Sequence, residues 1–321
     1  MDVLKELSYA GIIPVIKIDD ASDAVPLCKA LRDGGLPVAE ITFRTEAAEE
    51  AIRQVHQELP DVVLGAGTVL NTDQVNKAVA AGASYIVSPG LNPKTVEHCK
   101  KIGVPIIAGC ANPSDIEIAI ELGLRTVKFF PAEALGGLKV IKALSGPFNQ
   151  VSFVPTGGIT EKNLLEYLSF EHIVACGGSW MVPNEAIKAK DWKKIEQMTR
   201  SAVTLMLGLE LKHIGINVEN EVQAKNAAIL FGQLMGIQPE ELEKSFFVNR
   251  EFEIMKSNGR GKNGHIAIAV NNVERAIWHL KRRGFTFDDN SRRYNKGKTE
   301  YIYLSDEIAG FAIHLVEKQG A

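Results

Sequence analysis

A chain of 321 residues has room for a barrel-sized domain and a smaller companion. Its 36 Lys+Arg are nearly balanced by 39 Asp+Glu, so the chain shows neither the basic stripe of a nucleic-acid binder nor the acidic run of a disordered tail. Asp2, Lys5, Glu6 and Lys17 interrupt any apolar leader, no apolar run reaches the length of a membrane span, and Cys28, Cys99, Cys110 and Cys176 show no CxxC spacing. These features predict a cytoplasmic protein with buried free thiols, acting on neither nucleic acid nor membrane.

From residue 11 onward, short apolar runs alternate with helical patterns at the spacing of βα units. The runs are GIIPVIKI (11–18), VAEITFR (38–44), VVLGAGTVL (62–70), YIVSPG (85–90), PIIAGCA (105–111), TVKFFPA (126–132), SFVPTGG (152–158) and HIVACGGSW (172–180). Helical patterns lie between them, among them 21–33, 46–58, 72–81 and 113–122, several opening on Ser, Thr, Asn or Pro and closing at Gly34, Gly82, Gly103 or Gly123. Eight such units with near-continuous apolar strands predict an α/β fold, a closed (β/α)8 TIM barrel over residues 1–207.

In such a barrel the chemistry sits at the carboxyl ends of the strands. The sixth run places one lysine, Lys128, inside an apolar strand, where a buried ammonium must snorkel, pair or lose its proton. A neutral amine there is a nucleophile for carbonyl carbon. On the second run Glu40, Thr42 and Arg44 alternate, which predicts that a carboxylate and a guanidinium share the lysine's cavity. Thr68 follows a small-residue strand end, Ser88-Pro89-Gly90 ends the fourth run, and Thr156-Gly157-Gly158 and Gly177-Gly178-Ser179 end the last two. Paired glycines in those last loops suit a phosphate. Taken singly, Glu40 and Arg44 also fit a structural ion pair, Thr68 a helix cap, and the glycine pairs tight turns. Taken together they predict an aldolase working through a Schiff base, with no metal or other cofactor in that reaction. Glu40 moves protons, Arg44 and Thr68 hold a carboxylate, and the glycine loops hold a phosphate of a 2-keto acid substrate.

The runs GIIPVI, EITFRTEAA, GAGTVLN, SPGL, VKFFPAEALGG, SGPFNQVSF, PTGGI and GGSWMVP, in this order, resemble the family of 2-dehydro-3-deoxy-phosphogluconate and 4-hydroxy-2-oxoglutarate aldolases. The resemblance implies a class I pyruvate-dependent lyase. It would cleave 2-dehydro-3-deoxy-6-phosphogluconate to pyruvate and glyceraldehyde 3-phosphate, or 4-hydroxy-2-oxoglutarate to pyruvate and glyoxylate. It also implies Lys128 as the Schiff-base lysine, Glu40 as the general acid/base, and Arg44, Thr68 and Pro89 around the pyruvyl part. Thr156, Gly157, Gly158 and Ser179 would lie on the phosphate side, with Gly178 in the same loop, and the protein would be a homotrimer. The run Ala108-Gly109-Cys110-Ala111-Asn112-Pro113 departs from the Pro-Gly and Ser/Thr-rich turn usual in that family, which bears on substrate range, and Phe43 stands where Leu is common.

Residues 208–321 predict a second, α+β domain. Strands are expected at 212–218, near 246, at 251–256, at 265–270, near 286, at 301–304 and at 311–316, and helices at 223–235 and 273–283. HIGINVEN and HIAIAVNN mark an internal duplication. Two βαβββ-like modules resemble the vicinal oxygen chelate (glyoxalase-like) superfamily. The resemblance implies a divalent metal held by His213, Glu253, His265 and His314, ligand types that suit such an ion. The alternatives are a metal-free clasp, or a metal-dependent enzyme or metal or ligand sensor for which the barrel is scaffold.

Overall fold

The structure is a computed structural model and describes residues 2–295 and 297–318. The chain divides into two compact units, the first ending at Met206 and the second beginning at Leu207. Among the described residues no helix is long and apolar enough to cross a membrane.

The first unit is a curled parallel sheet with helices between its strands. The strands are β1 (Ile12–Ile16), β2 (Val38–Thr42), β3 (Val63–Gly67), β4 (Tyr85–Val87), β5 (Ile106–Ile107), β6 (Gly109–Cys110), β7 (Thr126–Phe129), β8 (Ser152–Pro155) and β9 (Cys176–Gly178). The ladders run β5-β4-β3-β2-β1-β9 and β6-β7-β8. The predicted fifth strand is broken at Ala108, whose carbonyl accepts from Lys128 N at 2.9 Å. Single parallel bridges, Phe153↔Ile173 and Thr156↔Gly177, link β8 to the β9 segment.

Local chemistry explains the alternation. Ile12, Ile16, Ile41, Ala66 and Phe129 are wholly buried, as strands covered on both faces require. Asn71, Asn92 and Asn112 cap the helices Thr72–Ala81, Pro93–Lys101 and Pro113–Glu121 with their side-chain oxygens, and proline occupies the first turn of the latter two. Gly82, with φ at 108°, ends its helix in the left-handed region, whereas Gly34, at −72°, does not. A Cβ on Gly34 would lie 2.7 Å from Thr199 Cβ, so that glycine serves a close helix-to-helix approach. All four cysteines are buried, which pushes the thiols of Cys28 and Cys110 up to about 12.

The second unit is one mixed sheet. Its strands are β10 (Glu210–Ile216), β11 (Glu240–Glu241), β12 (Ser245–Val248), β13 (Phe252–Met255), β14 (Gly264–Val270), β15 (Phe287–Asn295), β16 (Lys298–Ile308) and β17 (Phe311–Glu317). Their order is β11-β12-β13-β10-β14-β17-β16-β15, with β10 parallel to β13, β14 parallel to β17, and β10 antiparallel to β14. Each half is thus a strand, a helix and three further strands, arranged alike about the β10–β14 pair. Asn220 and Asn272, seven residues into the two repeated motifs, each cap the following helix in the same way. The short β11 has no signature in the sequence, since Glu240 and Glu241 are exposed and offer no apolar alternation. Val222, Leu230 and Leu234 of the helix Glu221–Met235 are exposed.

Candidate functional site

Two clusters concentrate buried polar groups, one in each unit. In the first unit, Lys128 sits mid-strand on β7, flanked in register by Gly109 and Val154. It is 6% exposed, and Glu40, on β2, is 2% exposed. Lys128 Nζ donates to Glu40 Oε1 at 3.4 Å and lies 5.3 Å from the Phe130 ring centre. A charge pair this buried is costly unless it has a use, because desolvation offsets most of the attraction.

Glycine makes the room. A Cβ on Gly67 would stand 2.2 Å from Glu40 Oε1, and one on Gly65 would meet the Tyr85 ring at 2.2 Å. Tyr85 is wholly buried, and burial with the nearby Glu40 charge pushes its phenol well above the ordinary value. Neither Gly67 nor Tyr85 was singled out from the sequence. The sequence marks β3 as a strand of small residues, but what fills the space beside them is set by tertiary packing.

The remaining predicted residues fall at the same strand ends. Thr68 is half-buried with φ at 55°, a left-handed conformation that is strained for a β-branched residue and collects at functional sites. Pro89 is half-buried, and its carbonyl oxygen occupies the space that a Cβ on Gly109 would take, at 2.1 Å. Thr156 is buried with no hydrogen-bond partner for its hydroxyl, beside Gly157 and Gly158 with φ at 98° and 82°. Gly178 is covered by the Trp180 indole, and Ser179 is exposed. Glu133, which a Cβ on Gly158 would strike, is tied to the Tyr167 hydroxyl.

Arg44 lies just past the end of its strand. β2 ends at Thr42, so the alternation that would have aimed Arg44 at Lys128 has already stopped. Arg44 lies in the following turn, exposed, with Nε donating to Thr42 Oγ1 at 3.0 Å, and it lines a surface cavity of about 370 Å³ with Glu46, Gln74 and Lys77. Phe43 shares that turn and cavity, half-buried. In the departing turn after β6, Asn112 and Asp115 bond to each other and to the backbone to start the next helix.

The family profile for KDPG and KHG aldolases matches residues 3–198. This chain belongs to that family. It is similar to the 2-dehydro-3-deoxy-phosphogluconate aldolase of Haemophilus influenzae, 48% identical over 204 residues, covering 64% of this chain and 96% of the relative. The KHG/KDPG aldolase of Escherichia coli K12 is 42% identical over 197 residues, covering 61% of this chain and 92% of its own length. Among solved structures, the KDPG aldolase from Legionella pneumophila, with pyruvate captured at low pH as a covalent carbinolamine intermediate, superposes with a TM-score of 0.61. It is 41% identical, over 62% of this chain and 97% of that one. This aldolase is accordingly a lyase of class I, working by Schiff-base chemistry.

The second unit of the aldolase brings all four predicted donors together. His213 on β10, His265 on β14 and His314 on β17 place one ring nitrogen each within 4.8 Å of the others. Glu253 Oε2, from β13, is 3.4 Å from His213 Nε2 and 3.1 Å from His265 Nε2. The duplication explains the convergence. Glu253 pairs with Gly215 and His314 with Ala267, equivalent places in the two halves. Gly215 is small because His265 lies over it, its imidazole 2.0 Å from where a Cβ would be. Burial and the two neighbouring imidazoles hold His314 down at about 3, and burial likewise lowers His213. Bonds from His265 and Ser245 outweigh burial at Glu253 and keep its carboxyl below the usual range. His314 Nδ1 is buried without a hydrogen-bond partner. Ser245, whose hydroxyl donates to Glu253 Oε1 at 2.7 Å, was not foreseen, though it stands one residue before the strand expected near 246.

Proposed function

We propose that this aldolase cleaves 2-dehydro-3-deoxy-6-phosphogluconate to pyruvate and glyceraldehyde 3-phosphate, and 4-hydroxy-2-oxoglutarate to pyruvate and glyoxylate, with Lys128 as the nucleophile. The observation that carries this reading is the buried Lys128–Glu40 pair, a nucleophile and a proton carrier within bonding reach of each other inside the curled sheet. The names of the relatives support the substrates.

The steps follow from the two groups. Lys128 Nζ adds to the C2 ketone, and Glu40 relays protons as the carbinolamine loses water to become an iminium. Glu40 then takes the proton of the C4 hydroxyl. The C3–C4 bond breaks, its electron pair enters the iminium, and the aldehyde leaves. Protonation of the enamine at C3 and hydrolysis return pyruvate and the lysine. Thr68 and Pro89 frame the pyruvyl part, and Arg44, bonded to Thr42 at the end of β2, holds its carboxylate. Thr156, Gly157, Gly158, Gly178 and Ser179 receive the phosphate, a role supported by the unpartnered Thr156 hydroxyl and the left-handed glycines beside it.

The curled sheet is best read as a complete eight-stranded barrel, β5 and β6 forming one interrupted strand and the bridges at Ile173 and Gly177 closing the ring. A cytoplasmic homotrimer, with residues 1–207 as barrel and 208–321 as glyoxalase-like domain, completes the proposal. The family's habit supports the trimer, and sizing by light scattering tests it.

A second reading rests on the histidine cluster. Three imidazoles and a carboxylate, one nitrogen of them buried and unpartnered, fit a divalent metal held by His213, Glu253, His265 and His314. Such an ion would supply Lewis acidity to a ligand oxygen in that unit.

The deciding experiment is pyruvate release from 2-dehydro-3-deoxy-6-phosphogluconate, with and without a strong chelator. Chelator-insensitive release is the expected result. Loss of release would instead tie the aldolase reaction to the second unit's metal.

A further inference from the structure

Two tyrosines border the cluster of histidines. β16 pairs Tyr303 with His314 and Tyr301 with Val316, so both tyrosines share the face of His314. Their rings lie 5.0 Å and 4.4 Å from its imidazole. The next strand out, β15, sets Arg293 opposite Tyr301. From the glycine-rich link between the halves, Arg260 lies over the Tyr303 ring at 4.6 Å. Tyr301, Tyr303, Arg260, Arg293 and Lys244 line a cavity of about 640 Å³, a size ordinary for small-molecule sites.

Its charge is one-sided. Lys244, Arg260 and Arg293 line it against one carboxylate, Glu300. Asp288 holds Arg260 at 2.8 Å, which fixes the guanidinium over the ring and leaves its other edge for a ligand. Among the described residues, no ion pair engages Lys244 or Arg293. Guanidinium forks above an aromatic wall suit a planar or tetrahedral oxyanion.

We propose that this cavity is a ligand site for a small oxyanion, a carboxylate or a phosphate ester, held by Arg260 and Arg293 with its body against Tyr301 and Tyr303. The site lies outside the Lys128–Glu40 chemistry and belongs to the second unit alone. It deepens the metal reading of the cluster but stands on the cationic rim, which needs no metal.

Calorimetric titration of the full-length protein with oxalate and with inorganic phosphate tests it, in chelator-treated and zinc-loaded forms, with metal content measured separately. The comparison is with Arg260→Gln/Arg293→Gln and with Lys244→Gln, each checked for pyruvate release, which should stay at the wild-type rate. Either probe should bind the wild type and bind about tenfold or more weakly to the double variant, because a charge-assisted fork is lost. Preference for oxalate marks a carboxylate ligand, and preference for phosphate a phosphate ester. Should the double variant misfold, the same comparison is made with Lys244→Gln. Equal affinity in wild type and folded variants, or no binding by the wild type, overturns the proposal. Oxyanion binding by a protein that takes up no zinc would refute the metal reading and leave this one standing.

Discussion

Lys128 Nζ and Glu40 Oε1 stand 3.4 Å apart although their strands are not neighbours. β2 lies in the β5-β4-β3-β2-β1-β9 ladder and β7 in the β6-β7-β8 ladder, which single bridges join between β8 and the β9 segment. The pair therefore spans the interior of the curl, and each partner depends on the whole sheet for its position. Lys128→Ala removes the only amine of the pair, so borohydride trapping of pyruvate should vanish and pyruvate release should fall by about a thousandfold or more. Trapping that persisted in the variant would move the Schiff base to another lysine.

Glu40→Gln keeps the shape of the carboxylate and removes its basicity. Loss of a positioned proton carrier costs about 10²–10⁴-fold. The variant should still form a borohydride-trapped adduct, slowly, while turnover falls within that range. A wild-type turnover in Glu40→Gln would show that protons travel by another route.

Gly67→Ala tests the space around the carboxylate without touching the chemistry. The added Cβ would lie 2.2 Å from Glu40 Oε1, so the carboxylate must swing away from Lys128. The turnover number should drop by about tenfold or more, since small misplacements of catalytic groups have such effects. A thermal midpoint near the wild type, seen by circular dichroism, would separate this from unfolding.

Much of this arrangement was legible because strand periodicity carries it. Lys128 in TVKFFPA and Glu40 in VAEITFR are polar interruptions of apolar strands, and both are buried where the pattern puts them. For Arg44 the periodicity carries less, since alternation holds only to the last residue of a strand and β2 stops at Thr42. Gly67 and Tyr85 were silent because a glycine's value lies in what fills its empty side, which is a tertiary fact. In the second unit the repeated His-Ile motif disclosed His213 and His265, and the duplication carried Glu253 and His314 to equivalent places. Tyr301, Tyr303 and Arg260 went unread because their meaning depends on cross-strand register.

Stability in the first unit should be sensitive at Gly34. Its backbone is helical, with φ at −72°, so alanine brings no conformational strain there. Its Cβ would nevertheless stand 2.7 Å from Thr199 Cβ and 2.9 Å from Glu196 O, in a contact where Thr199 is wholly buried. Overpacking of this kind costs about 1–3 kcal/mol. Gly34→Ala should lower the unfolding free energy, read from denaturant titration, by that amount, with pyruvate release per folded molecule unchanged.

The metal reading makes a prediction with its own readout. Ser245 donates to Glu253 Oε1, which leaves Oε2 to the histidines, so Ser245 orients a ligand without being one. After dialysis against zinc, elemental analysis should find about one ion per chain in the wild type and none retained in His314→Ala. Ser245→Ala should bind about 10–100-fold more weakly, the usual effect of losing such a support. Metal that binds the folded state stabilises it, so a chelator should lower the melting temperature of the second unit while pyruvate release continues. A wild-type protein that keeps no metal, with the three histidines still within reach of one another, would mean that the cluster serves packing, and the clasp would be the better description of this unit.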